Sequence, residues 1–237
     1  MKVSFVIPVY NNSVSLVALS NALVDLSIRM QWMYEIVLVD DCSKDNSLQI
    51  AKQLSSNTTI IHLKKNQGQS TALLIGIKYA TGTILVSLDA DLQDDPNFIP
   101  SLIEKITPQN PIVFSGRSGK YEKQSKLISA IGFKYVLHIL SFKRLPKNAC
   151  LFFAMHQSVI PHLTPYIGSN PYLLSLIAKS KVKCDSVPYI RKHNQFGKGS
   201  YTFKKRWKVA TKGIANFFFL KKKEIDPKLF SIIKNAS

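Results

Sequence analysis

Over residues 1–115, short unbroken apolar runs alternate with stretches whose apolar residues recur every three or four positions. Val3–Val9 reads as a buried strand, after which Leu16, Leu19, Leu23 and Leu26 mark one face of a helix. Ile36–Val39 is a second strand, ending at Asp40 and Asp41. Ser43 or Asp45 is placed to cap the helix that bears Leu48, Ile50, Ala51 and Leu54. Thr59–Leu63, Thr83–Leu88 and Ile112–Ser115 give three more strands. Gly68 opens a helix that runs to Ala80 and stops at Thr81 and Gly82; Pro96 starts another that runs to Ile106. Strict alternation of this kind implies right-handed β-α-β units, hence an α/β fold with a mostly parallel sheet and helices on both faces. Ligands of such sheets lie beyond the carboxyl ends of the strands. Three of those ends carry polar clusters: Tyr10-Asn11-Asn12, Asp40-Asp41 and Asp89-Ala90-Asp91.

The second half is less regular. Lys123–Phe142 predicts an amphipathic helix, with Leu127, Ile128, Ile131, Tyr135, Ile139 and Phe142 apolar and Lys123, Lys126, Lys134 and Lys143 basic. Phe203–Leu220 and Lys228–Ile233 are further helix candidates, and Gln195–Ser200 is a basic loop with two glycines. No run approaches the ~20 apolar residues that cross a bilayer. Val3–Val9 contains Pro8 and has neither a cationic preamble nor a small-residue cleavage site, which argues against a signal peptide.

Charge divides the chain more sharply than hydropathy does. Of 32 Lys and Arg and 14 Asp and Glu, net +18, residues 1–115 hold 8 and 10 while residues 116–237 hold 24 and 4. A nearly neutral front half therefore precedes a half of net +20, which implies a polyanionic partner: nucleic acid, an anionic membrane or a phosphorylated substrate. An apolar fraction of 46% is enough for a packed core and excludes wholesale disorder. Cys42, Cys150 and Cys184 are odd in number and far apart, which points to a reducing, cytoplasmic compartment rather than a disulfide frame.

Candidate chemistry gathers at two strand ends. Asp89 and Asp91 are oxygen ligands of the kind that suits Mg²⁺ or Mn²⁺, and Gln93 can add a carbonyl oxygen. The same acidic residues also serve as turn formers, with Asp94 and Asp95 assigned mostly to capping the next helix. At the other end, Asp40 or Asp41 can accept hydrogen bonds from a ribose or a base edge. Neither GxGxxG nor GxxxxGK[ST] follows the first strand, so dinucleotide-dehydrogenase and P-loop readings lose their main support. His62 and His138 read as packed or surface residues.

The ordered set VSFVIPVYNN (3–12), EIVLVDDCSKDNS (35–47), NQGQSTALLIGIKYATG (66–82) and SLDADLQDDP (87–96) resembles glycosyltransferase family 2, whose members are inverting and adopt the GT-A fold. With RKHNQFGKGSYTFKKRWKVA (191–210), it is most similar to polyprenyl- and dolichyl-phosphate sugar synthases and their bacterial relatives. The resemblance covers roughly residues 3–215. It implies a GT-A domain over 1–200, with a nucleotide-binding half 1–117 and an acceptor half 118–200. Residues 201–237 would then be basic amphipathic helices on the membrane surface.

Residue by residue, the resemblance places Pro8, Tyr10, Asp40 and Asp41 at the base and ribose, and Lys65 and Gly68 where the nucleotide pocket closes. It gives Asp89 and Asp91 to a divalent metal, Mg²⁺ or Mn²⁺, with Gln93 nearby, and Arg117 to the phosphates. Gly197, Lys198, Gly199 and Tyr201 fall in a mobile loop over donor and acceptor, with Arg191 and Lys198 among the cations beside the reacting groups. The chain departs from the family pattern at Asn148, where relatives carry an acidic residue, and at Asn194 and Gly199, where Arg and Ser are usual. A missing carboxylate weakens base-assisted transfer to a hydroxyl. A missing Arg and Ser weaken the lipid-phosphate reading, and the acceptor class stays open.

The implied activity is metal-dependent, inverting transfer of a sugar from a UDP- or GDP-sugar. The acceptor would be polyprenyl phosphate or a lipid-linked glycan of cell-surface polysaccharide synthesis. The protein would be peripheral on the inner face of the membrane, held there by Trp207, Phe217, Phe218 and Phe219 beside Lys221-Lys222-Lys223. Two alternatives come from other classes: a basic nucleic-acid-binding protein, and a non-catalytic relative that binds a nucleotide-sugar.

Overall fold

The computed structural model describes residues 1–55, 57–117, 135–190 and 203–234, the side chains of Arg117 and of residues 203–210 excepted. Among the described residues, eight strands form one sheet. They are β1 (Lys2–Val9), β2 (Met33–Asp40), β3 (Thr58–Leu63), β4 (Ile84–Ser87), β5 (Ile112–Arg117), β6 (Phe153–His156), β7 (Cys184–Tyr189) and β8 (Phe230–Lys234). Their order across the sheet is β7-β5-β6-β4-β1-β2-β3-β8. The pairings β1–β2, β1–β4, β2–β3 and β5–β7 are parallel. Strand β6 enters antiparallel between β4 and β5, and β8 closes the far edge antiparallel to β3.

The helices are α1 (Leu16–Arg29), α2 (Ser47–Ala51), α3 (Gln69–Tyr79), α4 (Ile99–Ile103), α5 (described over 135–140), α6 (Ile160–Leu163), α7 (Leu173–Lys179) and α8 (Phe203–Phe219). Alternation along the strands sorts the core into two faces. Phe5, Ile7, Ile36, Leu38, Ile60 and Val86 pack with Leu16, Leu19 and Leu23 of α1 and Leu102 of α4. Val6, Val37, Val39, Ile61, Leu85 and Phe114 pack with Leu73 and Leu74 of α3 and Leu176 and Ile177 of α7. The one-residue shift between the two sets is the period-two geometry of a strand buried on both faces.

Helix α3 lies close on the sheet at Gly76. A Cβ there would stand 2.4 Å from Val6 Cγ1 and 2.9 Å from Val39 Cγ2, so the helix approaches only because that side chain is absent.

One expectation needs correction. Residues 201–237 are not helical throughout: α8 is followed by β8, in which Ile60 faces Ile233 and His62 faces Ser231. Short apolar alternation at the open edge of β3 completes a ladder there, a gain that a six-residue helix could not match. Leu220 and Ile225, on the way to that strand, are buried in the same core as α3 and α7. Asp95 caps the short helical turn that follows, accepting from Asn97 N at 3.0 Å, and Asp94 beside it is buried.

Candidate active site

The carboxyl ends of β1, β2, β3 and β4 share one edge of the sheet, and the loops that leave them are bonded to each other. Beyond β1, Asn11 takes a left-handed φ of 54°. Its N–H donates to Ser43 Oγ at 3.0 Å, and Lys44 N donates to its Oδ1 at 2.8 Å. Asn12 N donates to Ser47 Oγ and Ser13 N to Asp45 Oδ2. These bonds hold the turn after β1 against the turn after β2 and leave Tyr10 exposed at its tip, next to half-buried Pro8.

Asp41 is the hinge of the next pair of loops. Its Oδ1 accepts from Gln67 N at 2.6 Å and its Oδ2 from Gly68 N at 2.9 Å, while Asn66 Nδ2 donates to its carbonyl oxygen. Gly68 has φ 86°, a backbone that glycine adopts without strain, and this lets the chain present two successive N–H groups to one carboxylate before α3 begins. Burial pushes the Asp41 carboxyl above its ordinary range; the two N–H groups pull it back, and the neighbouring Asp40 pushes it up again. Each oxygen has two acceptor sites and spends one on the backbone, so the other remains for a ligand hydroxyl or N–H. Lys65 stands exposed in the same loop.

Asp40 is buried and its Oδ2 lies 2.7 Å from His62 Nδ1. The two residues face each other in the β2–β3 register. His62 read as packed or surface from sequence alone, because only the pairing register brings it to Asp40.

Beyond β4, Gln69 Nε2 in the first turn of α3 donates to Asp89 Oδ1 at 2.6 Å. Asp91 Oδ1 accepts from Gln93 N at 3.1 Å, across Leu92 in the left-handed region with φ 59°. Both backbone groups of Gln93 are engaged, its carbonyl oxygen accepting from the Tyr189 hydroxyl, which in turn accepts from Asp95 N at 2.7 Å. Ser15 Oγ donates to Ala90 O at 2.5 Å. Residues 89–95 are thus fixed from α1, α3 and β7. Neither Gln69 nor Tyr189 carried a sequence signal pointing to these contacts.

Among the described residues, no group of three His, Cys, Asp or Glu side chains comes together as a metal cage. Two aspartates on one strand-end turn nonetheless fit Mg²⁺ or Mn²⁺, which bind through one or two carboxylates and take their other oxygens from water and substrate phosphates. Gly116, near the end of β5, packs on Asn148; a Cβ on that glycine would lie 2.1 Å from Asn148 Nδ2. Asn170, left-handed at φ 48°, accepts from Thr71 Oγ1 at 3.2 Å and from Lys212 Nζ at 3.0 Å, tying α8 to the head of α3. Arg191, Gly197, Lys198, Gly199 and Tyr201 lie outside the described residues, as does the Arg117 side chain.

Residues 4–160 match the family model described as "Glycosyl transferase family 2". The chain belongs to that family. This glycosyltransferase is 29% identical over 218 residues to an uncharacterized glycosyltransferase, YkcC, of Bacillus subtilis, covering 90% of this chain and 68% of that one. It is 29% identical over 213 residues to the undecaprenyl-phosphate 4-deoxy-4-formamido-L-arabinose transferase of Sodalis glossinidius, covering 86% and 64%. A third relative, an uncharacterized glycosyltransferase of Synechocystis, is 30% identical over 224 residues, covering 93% and 70%. About a third of the length of each relative therefore lies outside the match.

Among solved structures, the fold matches glucosyl-3-phosphoglycerate synthase from Mycobacterium tuberculosis, in complex with Mn²⁺, UDP and glucosyl-3-phosphoglycerate. That match has a TM-score of 0.67 at 15% identity, over 95% of this chain and 81% of that one. Mannosyl-3-phosphoglycerate synthase from Rubrobacter xylanophilus matches at 0.68 and 12%, over 98% and 80%. At these identities the likeness establishes the fold: an α/β GT-A arrangement.

Proposed function

We propose that this glycosyltransferase moves a sugar, with inversion, from a UDP- or GDP-sugar to a membrane-linked acceptor, polyprenyl phosphate or a lipid-linked glycan. The observation that carries the reading is the bonded edge itself. Asp41, clamped by Gln67 and Gly68, and Asp89, clamped by Gln69, flank the three residues that lead into α3. One short segment thereby couples a nucleoside-recognising carboxylate to a metal-binding one. Asp41 offers its spare acceptor sites to the nucleoside, with Tyr10 and Pro8 beside it, and Asp40, steadied by His62, shapes the floor.

Asp89 and Asp91 would hold Mg²⁺ or Mn²⁺, which supplies charge neutralisation for the departing diphosphate. This donor-side role is supported by the Mn²⁺ and UDP bound in the Mycobacterium tuberculosis structure, and the acceptor class by the undecaprenyl-phosphate transferase among the relatives. Arg117, Arg191 and Lys198 are proposed to meet the phosphates, and Gly197–Tyr201 to cover the donor. A phosphate acceptor is already anionic and needs no general base, which suits Asn148 in place of a carboxylate. Among the described residues no helix is long and apolar enough to cross a membrane, and the basic second half supports a peripheral seat on the inner membrane face.

The test is mass-spectrometric product detection with a panel of UDP- and GDP-sugars, offered polyprenyl phosphate and glycan-lipid acceptors in separate reactions. A glycosylated lipid in either arm supports the proposal. Nucleotide binding without turnover across the panel would refute it in favour of a non-catalytic relative.

A further inference from the structure

Tyr189 is the last residue of β7, the first strand in the sheet order, yet its side chain ends at the turn beyond β4. Strands β5 and β6 lie between the two. The residue is 5% exposed, and its ring packs on Phe98 and Phe152 with centroids 4.6 and 5.5 Å away. Such packing asks only for a flat apolar ring, and phenylalanine supplies one at the other two positions. The hydroxyl of Tyr189 therefore has a task of its own.

That hydroxyl is spent on two backbone groups of one turn. It accepts from Asp95 N at 2.7 Å and donates to Gln93 O at 3.3 Å. A hydroxyl has one proton to give, and here it goes to Gln93. Gln93 is also the residue whose N–H donates to Asp91 Oδ1 at 3.1 Å. The Asp91 carboxylate is thus turned by a residue whose own place Tyr189 sets.

The turn needs such support from outside. Leu92, between Asp91 and Gln93, is left-handed at φ 59°, a conformation that leucine rarely takes. Residues held in sparsely populated backbone regions persist where their surroundings over-determine them. Asp89 is steadied differently, by the Gln69 side chain from α3. The two carboxylates beyond β4 therefore have separate supports, one from α3 and one from β7. Tyr189 also faces Arg117 in the β5–β7 register, so the same residue joins this turn to the strand end proposed to meet the phosphates.

We propose that Tyr189 is a positioning residue for the divalent metal. Its hydroxyl fixes Gln93, the Gln93 N–H fixes the Asp91 carboxylate, and metal affinity depends on a side chain that reaches Asp91 only through Gln93. The inference rests on the proposed seat of Mg²⁺ or Mn²⁺ at Asp89 and Asp91. A buried hydroxyl whose proton is committed to the backbone does not serve the reacting groups, so Tyr189 is not a catalytic residue.

The experiment is a titration of the full chain with Mn²⁺, at saturating UDP and at saturating GDP. It is read by loss of the free-ion signal in electron paramagnetic resonance and corrected for Mn²⁺ held by the nucleotide alone. The unsubstituted chain is compared with Tyr189→Phe, Asp91→Ala and Gly76→Ala. Nucleotide binding in EDTA and melting temperature are measured on each. Tyr189→Phe keeps the ring against Phe98 and Phe152 and removes only the hydroxyl. Its Mn²⁺ affinity should fall ~10-fold, at the lower end of what outer-shell partners contribute, while nucleotide binding in EDTA stays unchanged. Gly76→Ala lowers the melting temperature by overpacking and should keep its full Mn²⁺ affinity, which separates positioning from general loss of stability.

Undiminished Mn²⁺ affinity in Tyr189→Phe overturns the inference; if Asp91→Ala has lost affinity beside it, the metal reading still stands. An equal loss in Gly76→Ala overturns it too, since lower stability then accounts for the effect. So does weaker nucleotide binding by Tyr189→Phe in EDTA, which carries the effect beyond the metal turn. Mn²⁺ taken up no better by the unsubstituted chain than by Asp91→Ala strikes the metal reading itself, and the role of Tyr189 with it.

Discussion

Gln69 donates its side-chain amide to Asp89 Oδ1 at 2.6 Å, so the first turn of α3 sets the orientation of the first carboxylate beyond β4. That turn follows directly on Gly68, whose N–H is bonded to Asp41, and the two carboxylates are therefore positioned by one three-residue segment, Gln67–Gln69. Gln69→Ala should leave the fold intact, because the bond is at the surface, while weakening metal activation about 10-fold, at the lower end of outer-shell effects. Titration of Mn²⁺ against donor turnover measures it.

Asp41 predicts an acid limit on nucleotide binding. Chiefly through burial its carboxyl sits above the ordinary 3.8, so it gains a proton at higher pH than a free aspartate. Protonation takes one oxygen from its partners, and affinity for UDP or GDP should fall as pH is lowered toward that raised value. Stability runs the other way. The folded state holds this proton more tightly than the unfolded state does. The contribution is therefore complete below 3.8 and is lost as pH rises through the folded value. Calorimetric titration from about pH 7 to about pH 4 should show the affinity limb, and Asp41→Asn should remove it along with most of the affinity.

The opposite sign applies at Glu35. It accepts from Ser4 Oγ at 2.5 Å, Thr81 N at 2.6 Å and Thr81 Oγ1 at 2.9 Å, with Lys2 Nζ at 3.6 Å. Burial pushes the carboxyl up, but the hydrogen bonds from Ser4 and Thr81 together with Lys2 outweigh it and hold it below 4.5. Its stabilisation is thus present above 4.5 and lost as pH falls through the folded value. Glu35→Gln should cost about 1–3 kcal/mol near neutrality, with the difference from the unsubstituted chain shrinking in acid. Urea unfolding at two pH values reads both.

Gly76→Ala tests the contact between α3 and the sheet. The new methyl would meet Val6 Cγ1 at 2.4 Å and Val39 Cγ2 at 2.9 Å, branched side chains with no free end to swing away. Overpacking of this kind costs about 1–3 kcal/mol. Val6→Ala should recover part of it, a non-additivity visible in a double-mutant cycle of thermal unfolding.

Local periodicity made β1 to β5 and α1 to α4 legible, since each writes its own burial pattern into a few consecutive residues. Three strands were not legible for a shared reason. Phe153–His156, Cys184–Tyr189 and Phe230–Lys234 are completed by partners far along the chain. Apolar residues at Phe230, Ile232 and Ile233 suit a helix or a strand, and only the open edge of β3 decides between them. The site divides the same way. Asp41 and Asp89 were visible because carboxylates at strand ends are conspicuous, whereas His62 and Gln69 owe their places to strand register and helix docking.

The central claim is that Asp89 and Asp91 hold the metal through which a nucleotide-sugar is used. Donor turnover should be followed as released UDP or GDP, with Mn²⁺ or Mg²⁺ added back after EDTA, for the unsubstituted chain and for Asp91→Ala. The account predicts activity that disappears with EDTA and returns with metal, and that Asp91→Ala lacks at every metal concentration while keeping its melting temperature. Full turnover by Asp91→Ala, or turnover untouched by EDTA, would contradict it.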